Sequence, residues 1–149
     1  MNKIVASIVI CLILWTAVLT ALTIAIYINS KSVSNFGAVS IKGEILVSWD
    51  SEGTSLITFI DWGIMDPGSN KSIVVYVIST SNKKLVLSMF TSSWLPAEAG
   101  NYINVSWDME GQVLSSRSFV KAVITGQVSS LIIDVDTYSF NMTFTGASL

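Results

Sequence analysis

The chain of 149 residues is long enough for one domain with an appendage. Its 12 % of charged residues is about half the roughly 25 % of an ordinary globular chain, while 51 % is hydrophobic and the net charge is −2. Histidine is absent and Cys11 is the one cysteine, which excludes histidine-based triads, His/Cys metal sites, an intramolecular disulfide and a basic nucleic-acid surface.

The apolar excess is concentrated at the start. Residues 4–28, IVASIVICLILWTAVLTALTIAIYI, contain no charge, proline or glycine. As a helix this run is about 37 Å long, more than the roughly 30 Å hydrocarbon core of a bilayer. Tilt, or extension into the headgroups, absorbs the excess. Tyr27 suits an interfacial aromatic, and Asn29, Ser30 and Lys31 mark the exit. A secretory leader has a shorter apolar region, about 7–15 residues, and a small-x-small cleavage site. The best such triplet here, Thr23-Ile24-Ala25, lies among apolar residues, and Val9-Ile10 before Cys11 are too bulky for a lipoprotein signal. Residues 1–28 are therefore expected to be an uncleaved transmembrane anchor, with the lipid bilayer as partner of residues 4–28. Lys3 on one side and Lys31 and Lys42 on the other leave the positive-inside rule nearly silent. Beyond the anchor seven basic residues face ten acidic ones, a balance not built to grip anionic lipid or nucleic acid.

Residues 29–37, NSKSVSNFG, read as a polar flexible stalk. Residues 38–149 then change period: short β-rich runs alternate with turn chemistry, and no amphipathic helical stretch occurs. Strands are expected near 38–49 (interrupted at Gly43), 56–60, 73–80, 85–91, 102–107, 118–125 and 138–145. Asp66-Pro67-Gly68-Ser69-Asn70, Ser81-Asn82-Lys83-Lys84 and Asp108-Met109-Glu110-Gly111 separate them as turns. About seven short strands with regular turns predict an all-β, immunoglobulin-like antiparallel sandwich. Without a Cys…Trp…Cys framework it is not an antibody-type domain. The run Ile73–Ile78 is apolar on both faces, which predicts a central strand covered on both sides.

Three N-x-S/T sequons, at Asn70, Asn104 and Asn141, favour a C-terminal domain outside the cell. In the last strand Tyr138, Phe140, Met142 and Phe144 alternate with Ser139, Asn141, Thr143 and Thr145; Ile103, Val105 and Trp107 oppose Asn104 and Ser106. Asn104 and Asn141 thus fall on solvent faces and Asn70 in a turn, as candidate glycosylation sites.

The segments Val47-Ser48-Trp49-Asp50-Ser51-Glu52-Gly53 and Val105-Ser106-Trp107-Asp108-Met109-Glu110-Gly111 echo one another. Calcium between these acidic turns, with Asp134 and Asp136, is one reading. The ion wants six to eight oxygens and no D-x-D-x-D-G loop supplies them, so hairpin turns are favoured and neither metal nor cofactor is expected. Trp49, Trp62 and Trp107 are expected to close the ends of the core. Trp94, in the expected loop 92–101, is the candidate for contact with a sugar or partner. No residue pattern singles out a nucleophile, since Lys83 and Lys84 fall in an exposed turn.

From Ile60 to Gly146 the order of motifs resembles small archaeal membrane-anchored proteins with an Ig-like ectodomain. The residues that carry it are Ile60-Asp61-Trp62-Gly63, Asp66-Pro67-Gly68, Ile73–Ile78, Ser92-Ser93-Trp94-Leu95-Pro96-Ala97, Tyr102–Trp107 with Gly111, and Tyr138-Ser139-Phe140 to Gly146. The first part also resembles structural Ig-like modules of the ASH and NEW types, which continue with Asn-Thr-Gly where Ser79-Thr80-Ser81-Asn82 stands here. A helix followed by a β-sandwich head is similar to archaellins, archaeal type IV pilins and archaellum stator proteins. Lys3-Ile4 does not resemble a prepilin cleavage site, and the apolar run ends at the stalk rather than in a long stem.

These readings converge on a non-enzymatic single-pass cell-surface protein. Its glycosylated sandwich would serve a structural, adhesive or binding role in the envelope, with a surface-layer protein, another envelope protein or itself as partner. The alternative is a subunit or accessory of an archaeal pilus- or archaellum-type filament.

Overall fold

The computed structural model describes residues 33–149, with side-chain exposure from Asn35 onward. The expected anchor and residues 29–32 lie outside the described residues. Among those described, no helix is long and apolar enough to cross a membrane.

Nine strands form two sheets among the described residues: β1 (Val33–Gly43), β2 (Ile45–Ser48), β3 (Phe59–Met65), β4 (Asn70–Ser79), β5 (Leu85–Leu95), β6 (Ile103–Trp107), β7 (Val113–Leu114), β8 (Phe119–Val128) and β9 (Thr137–Ser148). One sheet runs β3-β1-β9-β5-β7 and the other β2-β4-β8-β6. All pairings are antiparallel except β1 with β9, which run parallel from Ser34↔Thr137 to Gly43↔Gly146. The result is an all-β, two-sheet sandwich.

Its core is built from the alternation of apolar residues along the strands. Tyr138, Phe140, Met142 and Phe144 of β9 and Ile60 and Trp62 of β3 are buried from one sheet. Val75 and Val77 of β4, Ala122 and Ile124 of β8, and Trp107 of β6 are buried from the other. Thr143, on the expected solvent face, is nevertheless buried. It lies between Ser40 and Phe90 in the centre of the five-stranded sheet, where cross-strand neighbours shield it.

Consecutive strands never pair; each connection leads from one sheet to the other. The turn after β2 and the turn after β6 are therefore arches, not the expected hairpins. Gly43 is the hinge of the first crossing. Its φ is +90°, and a Cβ there would stand 2.5 Å from the Gly146 carbonyl oxygen, so only glycine fits.

Several boundaries differ from expectation. β1 begins at Val33, so residues 33–37 of the expected stalk are paired strand, and Asn35 is fully buried. The expected strand at 56–60 is displaced to Phe59–Met65, and Leu56 makes only an isolated bridge to Ser48. A bulge explains the miss: Gly63 has φ +62° and the β1–β3 register slips between Asn35 and Phe36, which breaks the period-2 signal. β4 is central, as expected, but only one face is covered. Val75 and Val77 are buried, whereas Val74 is exposed and Tyr76 and Ile78 are half-buried. The short β7 and a 3-10 turn at Ala97–Asn101 have no counterpart in the sequence reading.

Candidate functional site

The three sequon asparagines all have exposed side chains. Asn104 lies mid-strand in β6 and Asn141 mid-strand in β9, where Asn141 is paired with Ala38 on one side and Ser92 on the other. Asn70 is not in the turn but is the first residue of β4, immediately after the turn closed by Ser69 N–H on the Asp66 carbonyl (3.0 Å). Both Asn70 and Asn104 are register partners of Gln127, so the two stand in one rung of the four-stranded sheet with β8 between them. With strands about 4.8 Å apart, their Cα atoms are separated by about 10 Å. Sequence alternation could place each asparagine on an outer face but could not bring two of them into one rung, because that depends on strand order.

Trp94 lies not in a loop but as the penultimate residue of β5, where it is half-buried. β5 carries a register shift between Ser92 and Leu95, with Ser93 at φ +55°, and the shift turns the indole inward. There Trp94 stacks on Phe140 (centroids 4.3 Å apart, planes at 18°) and approaches Tyr138 (6.0 Å). Gly100 gives it room, since a Cβ would lie 3.1 Å from Trp94 Cδ1. Trp62 and Trp107 are buried as expected. The tryptophan that departs from the core is Trp49, 45 % exposed: β2 stops at Ser48, one residue before it.

The two echoing acidic turns match except at Ser51 and Met109 and differ in what they hold. Asp50 accepts hydrogen bonds from Thr54 N–H (2.9 Å), Thr54 Oγ1 (2.9 Å) and Ser55 N–H (2.7 Å), closing a local loop with Gly53 at φ +74°. The Thr54 backbone N–H, foremost among these donors, holds the Asp50 carboxyl below the usual carboxylate range against a smaller opposing effect of desolvation. In the second turn Glu110 reaches across to β5. It accepts from Trp107 Nε1 (2.7 Å), Met89 N–H (3.0 Å) and Ser88 Oγ (2.7 Å). Desolvation pushes the Glu110 carboxyl up, but these three donors outweigh it and the net shift is downward. Asp108 accepts from Val123 N–H of β8 at 2.8 Å. Sequence alone carried no signal that Glu110 joins two sheets, because Ser88 and Met89 lie more than twenty positions away.

Among the described residues no three Asp, Glu or Cys side chains converge as a metal site. The Tyr138 phenol is pushed up by burial, and its Oη meets only the Met65 sulfur at 3.8 Å. The Asn35 side-chain amide and Trp62 Nε1 are buried with no hydrogen-bond partner among the described residues. All three residues lie at the end of the sandwich where β1 begins. On the outside of that end, Phe36 of β1 and Leu95, the last residue of β5, face each other across Ser139 and, with Pro96, line a groove of about 510 Å³.

No protein-family profile matches the chain, and no curated protein matches it.

Proposed function

We propose that the protein is a non-enzymatic, single-pass cell-surface protein whose immunoglobulin-like sandwich, carried outside the membrane and glycosylated, serves a structural, adhesive or binding role in the envelope. The reading rests on the uninterrupted apolar run at residues 4–28 joined to a domain whose three sequon asparagines are all exposed. That exposure is the observation that carries it, since a sequon turned into the core would have opposed it. Two sheets, with the first and last strands as parallel neighbours, support the immunoglobulin-like assignment in its broad sense, in which architecture is shared more widely than connectivity. The non-enzymatic part is supported by how the polar side chains are used. Asp50, Asp108 and Glu110 accept backbone or indole N–H groups that hold turns and sheets together.

Glycopeptide mass spectrometry on protein from its native membranes, paired with protease shaving of intact cells and intact-mass measurement, tests the reading. The expected result is a retained N-terminal segment, a shaved domain and a glycan on at least one of Asn70, Asn104 and Asn141. An unmodified domain protected from external protease would place it in the cytoplasm and overturn the proposal. Cleavage near Lys3 would favour a pilin-type subunit instead, and a mature start near Ala25 or beyond would remove the anchor.

A further inference from the structure

Loops at the ends of a sandwich are normally polar. The β8–β9 connection, Ser129-Ser130-Leu131-Ile132-Ile133-Asp134-Val135-Asp136, is not. Val135 is buried and Ile132 packs against the core, but Leu131 is 74 % exposed and Ile133 64 %. Exposed apolar residues at the opposite end are of another kind: Phe119 leans on Tyr76 in a strand-face pair (6.1 Å between centroids), Val113 belongs to the edge strand β7, and Leu149 is the last residue, its N–H held by the Lys84 carbonyl. The Leu131–Ile133 tip stands at the pole where the chain enters the domain. It leads into Thr137, which pairs with Ser34 at the first rung of the β1–β9 ladder. Ile64 of β3 and the groove residues Phe36 and Leu95 extend the same pole along the outside of the five-stranded sheet, and all three are exposed.

Chain length fixes what is within reach of this pole. Four residues, 29–32, separate Ile28, the last of the apolar run, from Val33. Fully extended, the five Cα steps from Ile28 to Val33 span at most about 17 Å, and roughly 5–8 Å of that is headgroup layer. We infer that the Leu131–Ile133 tip is a second membrane contact, inserting its side chains into the interfacial layer of the bilayer that holds residues 4–28. The inference rests on the anchor reading and is independent of which side of the membrane the domain occupies. Charge sets its preference. Asp66, Glu98, Asp134 and Asp136 stand in the connections at this pole, against Lys71 and, in the sequence that leads into it, Lys31; acidic groups outnumber basic ones, so the contact is made with neutral or zwitterionic lipid and weakens as anionic lipid is added.

The test uses the full chain with Cys11→Ser, reconstituted into phosphatidylcholine vesicles and spin-labelled singly at Leu131→Cys, Ile133→Cys or, as a control at the far end, Lys83→Cys. Labels at 131 and 133 are expected to meet dissolved oxygen more readily than a water-soluble nickel reagent, with several-fold lower nickel access than the label at 83. A second set of vesicles containing phosphatidylglycerol should raise nickel access at 131 and 133. Flotation of the vesicles reports the anchor separately. Protein that floats but carries water-exposed labels at 131 and 133 overturns this inference alone. Labels shielded from both reagents mean that protein, not lipid, covers the tip, and overturn it too. Protein that fails to float overturns the anchor reading and this contact together.

Discussion

The six-membered ring of the Trp62 indole lies against Gly126, so that a Cβ built on that glycine would stand 3.1 Å from Trp62 Cζ3. Trp62 comes from β3 and Gly126 from β8, one in each sheet. The missing side chain on β8 is thus the space that the largest buried side chain on β3 fills, and the two sheets are keyed together there. Gly126→Ala should cost about 1–3 kcal/mol through overpacking, and Gly126→Val more. Urea unfolding followed by tryptophan fluorescence checks this; an unchanged midpoint would mean that the indole has free room to shift.

Glu110 provides a pH-dependent link. Its carboxyl titrates below its ordinary value of 4.5 in the folded protein. A depressed carboxylate stabilises the fold above the unfolded-state value, and that contribution disappears as pH falls through the lower folded-state value. Stability should therefore drop on acidification below about pH 4.5. Glu110→Gln should cost about 1 kcal/mol near neutrality, through weakened acceptance from Trp107 and Met89, and should flatten the acid limb. Urea midpoints measured from pH 2 to 7 would show it. Parallel acid limbs for the two proteins would remove Glu110 from the linkage.

The oxygens of Asp50 and Glu110 already accept N–H and O–H donors. Calcium would have to displace those donors to bind. The melting temperature is accordingly expected to be the same in calcium and in chelator, whereas an ion bound only by the folded state would raise it. A clear calcium-dependent rise would reinstate a site at the two acidic turns.

How much of this was legible in advance differs by level. Alternation along β9 and β6 gave the inward-facing apolar residues, because a strand's period of two is local, but it left out the buried Thr143 and overstated the burial of Val105, which is half-buried. The bulges were not legible. Gly63 in β3 and the slip between Ser92 and Leu95 in β5 each shift the period within one strand, and that shift hid the true span of β3 and made Trp94 look like a loop residue. Turn chemistry at Asp108-Met109-Glu110-Gly111 marked a reversal, but it is equally compatible with a hairpin or with an arch between sheets. Asn35 shows the same limit: its polar neighbours read as a stalk, and only pairing with both β3 and β9 buries it.

The shared rung of Asn70 and Asn104 makes a prediction about occupancy. If both are glycosylated as proposed, two branched sugars rooted about 10 Å apart on one face would compete for space. Glycopeptide analysis of Asn70→Gln should show increased occupancy at Asn104, with Asn141, on the other sheet, unaffected. Replacing each with glutamine should change the unfolding free energy by no more than about 0.5 kcal/mol per site, as expected for exposed positions. Independent occupancies at 70 and 104 would show that the rung imposes no crowding.

Gly43 makes a sharper demand than most turn glycines, since both its φ of +90° and the Gly146 oxygen oppose a side chain. Gly43→Ala should destabilise by roughly 1–3 kcal/mol, combining backbone strain with displacement of the β1–β9 end. Thermal unfolding would register it; a variant as stable as the parent would imply that this corner is loose.

The parallel alignment of β1 and β9 has a mechanical side. β1 is flanked by β3 and by β9, so a pull arriving through Val33 along the strand axis loads both ladders lengthwise. Hydrogen bonds on either side must then yield together rather than unzip one after another from an end. A domain tethered by its first strand in this arrangement resists tension as a shear joint, and it would give way more readily to a force applied across the sheet than to one drawn along its own tether.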